Sequence, residues 1–454
     1  MNTARIGFYG GVGSVTGANF FLDTGAQKIL IDCGLVQGSA FAQKENAGVF
    51  PYNPQEIDML FVTHAHADHI GRIPKLVKDG FKGVIWSTPP TRALAEVMLK
   101  DAYEVMVVES KRAHIPILYD MEDIDAAFAL WKTFTYGEEK KLEGGVSVVL
   151  ASAGHILGSS LVTFMRDGKK LMFTGDIGNV PQPLLDAPEA RDDLSFLVME
   201  SVYGDRVHEG VSDRSEILLS EIKRTIERRG VLIIPAFSLE RTQSMLYEIN
   251  NFVEQKLIPA IPVFLDSPLA ISVTGVYKTF KEYLSTDIQA QLARGDDVFD
   301  FPQLALTRTI ASSREIEGVA GPKIIIAGSG MSHGGRIRAH ERLYLDHEDT
   351  TLLLVGFQTV GSIGRLLQDG ADHVVIDGER VKVRARIQTI RGYSGHADRD
   401  QLLEFAAHSQ ESLKKVFVAM GEEKASLFLT QRLRDYLDLD AEAPEAGAVR
   451  EIDW

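Results

Sequence analysis

Residues 59–69 read MLFVTHAHADH, and the residues that follow, IGRIPKLVKDG, read as a helix stopped by glycine. The first half of the stretch is an apolar strand and the second half a polar loop. His64, His66, Asp68 and His69 fall within six positions. Such a set concentrates borderline nitrogen ligands and one hard oxygen, which suits zinc or a similar divalent cation. On an extended segment His64 and His66 project the same way, because side chains alternate with period two. Asp68 and His69 fall on the turn into the helix, so the four residues can address two adjacent metals.

Working outward, residues 4–9, 18–23 and 27–32 read as short strands separated by glycine-rich turns, an antiparallel meander. Downstream come a long helix near 91–110, a second at 121–133, and strands at 146–153, 160–166, 171–175 and 194–200. His155, in SAGHILGSS, and Asp176, in FTGDIGN, each stand at the end of an apolar strand beside glycine. From residue 209 the rhythm changes to helix, buried strand and helix, with VLIIPAF, IPVFLDSP and GPKIIIAGSG each a strand ending in a polar loop. That is a βαβ-type α/β domain, and without a linker on either side it reads as an insertion. Residues 387–434 return to strand, loop, helix, strand and helix; the last residues, AEAPEAGAVREIDW, read as a loosely attached tail.

Composition excludes several function classes. The chain has 454 residues, 45% hydrophobic and 24% charged, enough for two or three cores and far from a disordered composition. Its longest apolar runs are strand-sized, well short of the ~20 residues of a spanning helix, so no membrane partner is expected. A single cysteine, Cys33, allows no internal disulfide, points to a reducing cytoplasm and reads as a small buried hydrophobe. The net charge of −15 argues against indiscriminate nucleic-acid coating but permits a basic cleft.

With His155 and Asp176, and with Asp32 in IDCG, the HxHxDH motif resembles the metallo-β-lactamase superfamily. Glu200 in MESVYGDR, His396 in GYSGHAD and FVAMGEEKA near residue 420 resemble the three extra motifs of the β-CASP nucleases. PAFSLERTQ, LDSPLA and AGSGMSHGGR look like loops of the domain inserted in that family. The resemblance runs from residue 5 to about 435. It implies an α/β protein: a metallo-β-lactamase αβ/βα four-layer sandwich from residues 1–208 and 390–454, with an α/β β-CASP domain at 209–389 and the active site in the cleft between. By the same resemblance, one zinc takes His64, His66 and His155, and a second takes Asp68 and His69 with Asp176 bridging; manganese is the alternative metal. Asp32 supports a ligand, and Asp68, Glu200 and His396 are the catalytic set, with His396 oriented by Glu200 to protonate the leaving oxygen or stabilise charge there.

The implied activity is zinc-dependent hydrolysis of phosphodiester bonds in single-stranded RNA, endonucleolytic, with 5′→3′ exonuclease action and a homodimer left open. In place of the family's usual histidine, the third extra motif carries Met420. A thioether replaces imidazole poorly on zinc, so the second metal is expected to be held more weakly. Two alternatives follow: a broader metallo-hydrolase acting on small esters or lactams, and a non-catalytic RNA-binding subunit.

Two segments suggest RNA contact. In ERVKVRARIQTIR (379–391), Arg380, Lys382, Arg384 and Arg386 recur at period two, as a basic stripe on one strand face or as an edge strand charged against aggregation. In AGSGMSHGGR, the glycine amides with Ser329, His333 and Arg336 make a phosphate-site candidate. His114, His208, His340, His347 and His373 carry no motif and read as surface or packing residues.

Overall fold

The computed structural model describes residues 3–38, 41–208, 213–356, 358–359, 361–390 and 392–454. It divides into two compact units: Met1–Val180 with Ala187–Val207 and His396–Trp454, and Pro181–Asp186 with His208–Gly395. Residues 209–212, where the change of rhythm begins, lie outside the described residues.

The first unit holds two seven-stranded sheets. One runs in the order Val449–Asp453, Thr3–Gly10, Asn19–Asp23, Lys28–Ile31, Met59–Phe61, Val84–Ser87, Trp131–Thr133, antiparallel through the meander and parallel from Lys28–Ile31 onward. The other runs Ala441–Glu442, Lys415–Val418, Phe196–Met199, Lys169–Phe173, Ser160–Arg166, Ser147–Ser152, Lys140–Lys141. Their inner faces share one core, in which Ile6, Phe8, Phe20 and Phe61 meet Val162, Phe164, Phe173 and Phe417. Phe61 packs edge-to-face on Phe164 at 5.3 Å between ring centres, joining the sheets beside the HxHxDH segment. Behind the second sheet, Leu402 and Phe405 of Arg399–Ala407 and Leu429 and Leu433 of Glu423–Leu437 form a separate buried cluster. Helices Pro89–Ala113 and Met121–Leu130 pack behind the first sheet. The result is the expected four-layer αβ/βα arrangement.

Two expectations are corrected. The helix expected at 121–133 ends at Leu130, because Trp131–Thr133 becomes the sheet's last strand and the Trp131 indole donates to Ser87 Oγ at 2.8 Å. The supposed tail is an edge strand: Val449–Asp453 pairs antiparallel with Thr3–Gly10. Ile452 and Trp454, two residues apart, turn inward, and Trp454 is 1% exposed beneath the Arg166 guanidinium.

The second unit is built on a parallel sheet in the order Leu304–Leu306, Val263–Leu265, Lys323–Ala327, Val231–Pro235, Thr350–Leu354, Arg386–Thr389. Its central strands are buried on both faces, hence their unbroken apolar runs. Leu184 joins this unit by accepting from Ser285 N–H at 2.8 Å, and Tyr393 by donating to Glu248 at 2.7 Å. Among the described residues no helix is long and apolar enough to cross a membrane.

Candidate metal centre

The residues singled out in the first unit stand where strands end. Asp32 follows Lys28–Ile31, His64 follows Met59–Phe61, His155 follows Ser147–Ser152, Asp176 follows Lys169–Phe173 and Glu200 follows Phe196–Met199. Local packing explains why each loop takes its shape. A Cβ on Gly34 would lie 1.5 Å from Asp68 O, so only glycine lets the DCG turn lie against the HxHxDH loop. There Cys33 N–H donates to His69 O at 2.8 Å and Ala18 N–H to Asp68 O at 2.9 Å. Cys33 is buried, as expected, and burial pushes its thiol up to about 11. Across the sheets, Ser160 N–H donates to Thr63 O at 2.8 Å, and Ser159 Oγ accepts from His155 N–H at 3.1 Å.

His64, His66, His155 and Asp176 converge, each offering one ligand atom, all within 4.8 Å of one another. His66 Nδ1 lies 3.0 Å from His64 Nε2 and 3.2 Å from His155 Nε2. Asp176 Oδ2 lies 3.4 Å from His64 Nε2 and 3.6 Å from His155 Nε2. Burial, reinforced by the charge of His69, holds His64 well below the usual imidazole range; burial and His155 do the same to His66. Neutral rings thus aim nitrogens at one point beside a carboxylate, a donor set that fits a tetrahedral divalent cation.

A second set adjoins it. His69 Nε2 and Asp176 Oδ1, 3.4 Å apart, are both buried without a hydrogen-bond partner. Facing each other in the interior, the two atoms fit a place for a cation. Burial opposes charge on His69, but Asp176 and Asp32 outweigh it and raise its pKa well above the usual range. Asp68 feels the charges of both, and burial pushes its carboxyl up to about 6, but its oxygens do not join His69 and Asp176 among the ligand atoms that meet within 4.8 Å. Asp32, in left-handed backbone at φ 59°, accepts from Thr63 N–H at 2.8 Å and Thr63 Oγ1–H at 2.7 Å, and faces His69 Nδ1 at 2.7 Å. Thr63 precedes the motif and carries no ligand of its own, so nothing in the pattern marks it; its signal is a hydroxyl between the two histidine sets.

Glu200 accepts from Ile177 N–H at 2.6 Å and Val202 N–H at 3.2 Å. Its Oε1 lies 3.4 Å from His396 Nδ1, and Asp176 Oδ2 lies 3.8 Å from the same nitrogen. Burial opposes the charge on His396, yet Glu200 and Asp176 carry its pKa up to about 9. Burial raises Glu200 despite His396. Asp176, Glu200 and His396 also bring ligand atoms within 4.8 Å of one another.

Met420 is 2% exposed, at φ 48°, within the core between the sheets. Its sulfur lies against Gly11, where a Cβ would come within 2.2 Å of it.

The candidates of the second unit are arranged differently from the expected basic face. Glu379–Lys382 pairs in a hairpin with His373–Ile376, whereas Arg386–Thr389 edges the parallel sheet. Residues 384 and 385 turn between them, their N–H groups donating to Leu345 O. Arg384 pairs with Glu348, and Arg386 with Glu221 at 2.9 Å. Arg336 is committed as well, to Asp266 at 2.6 Å and to the carbonyls of Thr307 and Arg308, each at 2.8 Å. Ser329 Oγ accepts from His333 N–H and Gly334 N–H of its own loop, and His333 itself is exposed. His340, expected at the surface or in packing, is buried and lies 2.7 Å from Asp266.

Comparison with known proteins agrees with this geometry. Residues 21–193 match the metallo-beta-lactamase superfamily domain, 242–367 the Beta-Casp domain, and 380–444 the Zn-dependent metallo-hydrolase RNA specificity domain. The chain is 33% identical to Ribonuclease TTHA0252 of Thermus thermophilus over 94% of its own length and 96% of the relative's. This chain belongs to the β-CASP family of the metallo-β-lactamase superfamily. It is a metal-dependent hydrolase of that family. Among other β-CASP relatives, Transcription termination factor FttA of Methanosarcina mazei is 31% identical, over 97% of this chain and 70% of that one. A solved structure of a protein of unknown function from Enterococcus faecalis shares the fold, with a TM-score of 0.57 at 10% identity, covering 99% of this chain and 100% of that one.

Proposed function

We propose that this β-CASP protein is a zinc-dependent ribonuclease that hydrolyses phosphodiester bonds of single-stranded RNA, endonucleolytically, in the cytoplasm. The observation that carries the reading is the pairing of a three-histidine, one-aspartate cluster with the Glu200–His396 pair, in a chain related along nearly its whole length to a ribonuclease. His64, His66, His155 and Asp176 would hold one cation, and Asp68, His69 and Asp176 a second. Three imidazoles and a carboxylate favour zinc, with manganese the alternative. Bound there, the cation supplies Lewis acidity, lowering the pKa of a water molecule and stabilising charge on phosphoryl oxygens.

The chain's own groups do the rest. Asp68 would take the proton of the attacking water. His396, whose Nδ1 faces Glu200 Oε1 at 3.4 Å, would give a proton to the leaving oxygen, and Glu200, anchored by two backbone N–H groups, would fix the ring.

Zinc-loaded protein is to be offered an internally labelled single-stranded RNA, a matched duplex, a small ester and a lactam. Cleavage of the single strand above the duplex, with the ester and lactam left intact, is the expected result. Preferential turnover of ester or lactam would reject the reading.

A further inference from the structure

We infer that Thr63 is a positioning residue for the metal centre: its hydroxyl relays the Asp32 carboxylate to His64, so that one carboxylate sets the tautomer of a ligand in each of the two histidine sets. The inference rests on the reading that the cluster holds a metal.

Asp32, Thr63, His64 and His69 are all at most 1% exposed, so bulk water does not reach them. Asp32 as a carboxylate only accepts. Thr63 Oγ1–H and His69 Nδ1–H, each 2.7 Å from Asp32 Oδ2, must therefore both donate to it. With its hydrogen committed, Thr63 Oγ1 offers a lone pair to His64 Nδ1–H at 3.1 Å; its distance to His69 Nδ1 is the longer, 3.4 Å. With a cation bound, both rings would carry their one hydrogen on Nδ1 and offer Nε2 as the ligand atom. Those two Nε2 atoms face opposite oxygens of Asp176, each at 3.4 Å.

The hydroxyl is held in this role by its surroundings. A Cβ on Gly175 would lie 2.7 Å from both Thr63 Cβ and Oγ1, so a glycine at φ 55° packs the side chain in place. The Thr63 backbone is anchored separately, by Ser160 at its carbonyl and by Asp32 Oδ1 at its N–H. Removing the hydroxyl leaves the loop in place but strands His64 Nδ1–H without an acceptor. The ring then favours the other tautomer, with hydrogen on the atom that must bind metal. His69 keeps its direct bond to Asp32, so the loss falls on the His64 side. Partners that orient ligands in this way are worth roughly 10–100-fold in metal affinity.

Thr63→Val and Thr63→Ser would be compared with the native chain by zinc titration against a chromophoric chelator and by metal content after dialysis, with thermal unfolding of the metal-free forms alongside. The expected result is a 10–100-fold weakening of one binding step in the valine variant, recovery in the serine variant, and metal-free unfolding that stays cooperative in both, lowered in the valine variant by no more than the loss of one buried hydrogen bond. Equal zinc affinity in Thr63→Val and native protein, or no recovery in Thr63→Ser, would overturn the relay alone. A native chain that retains no zinc would overturn the metal centre and the relay with it.

Discussion

Glu200 Oε1 lies 3.4 Å from His396 Nδ1 while the same carboxylate takes two backbone N–H donors, so the acid is fixed before it meets the imidazole. Glu200 is 1% exposed, and a carboxylate held there supports a charged His396 at neutral pH. His396→Ala should lower kcat by roughly 10²–10⁴-fold, as for loss of a general acid. Glu200→Gln should lower kcat without emptying the His64–His66–His155 cluster. Steady-state cleavage measured beside zinc content checks both, and zinc loss equal to the activity loss would refute the assignment.

Met420 packs on Gly11, and its contribution is expected in stability. Met420→Ala removes a buried side chain and should cost roughly 2–5 kcal/mol while leaving the number of zinc ions per chain unchanged. Gly11→Ala should also destabilise, through the 2.2 Å approach to the sulfur and the φ of 69°. Urea unfolding and metal analysis of the same samples decide this. A lower zinc count in Met420→Ala would show the thioether to be a ligand.

Glu341 gives the second unit a pH dependence. Burial pushes its carboxyl up to about 7, although the Ser332 hydroxyl and the Arg338 charge pull it down. The folded form therefore binds more protons than the unfolded form between the ordinary carboxyl pKa and about 7. Stability falls as pH rises through that window, by up to about 3 kcal/mol above it. Glu341→Gln should flatten the slope and raise the urea midpoint above pH 7. An unchanged slope would contradict this.

Trp454→Ala should cost roughly 3–5 kcal/mol, because the indole is buried and the Arg166 guanidinium lies 4.5 Å over its ring. A thermal midpoint equal to that of the native chain would mean that the last strand adds nothing.

Much of the centre was legible because HxHxDH, His155 and Asp176 bring their meaning in residue type and in their positions at strand ends. The strands beneath them read easily from unbroken apolar runs. What stayed hidden depended on contacts distant in sequence. Trp454 reads as tail until Thr3–Gly10 offers an edge. The period-two cations at 380–386 assume a continuous strand, and the turn at residues 384 and 385, held by Leu345 O, breaks it. Arg336 reads as a free cation only because Asp266 lies 70 residues away. Thr63 has no signature at all: a hydroxyl acquires its role from the neighbours the fold supplies.

Cleavage of an internally labelled single-stranded RNA by metal-stripped protein before and after zinc is restored, beside His64→Ala treated alike, is the most direct measurement. Cleavage that returns with zinc in the native chain and stays absent in the variant is the predicted result. Cleavage by the stripped protein, or equal cleavage by His64→Ala, would contradict a metal-dependent ribonuclease centred on this cluster.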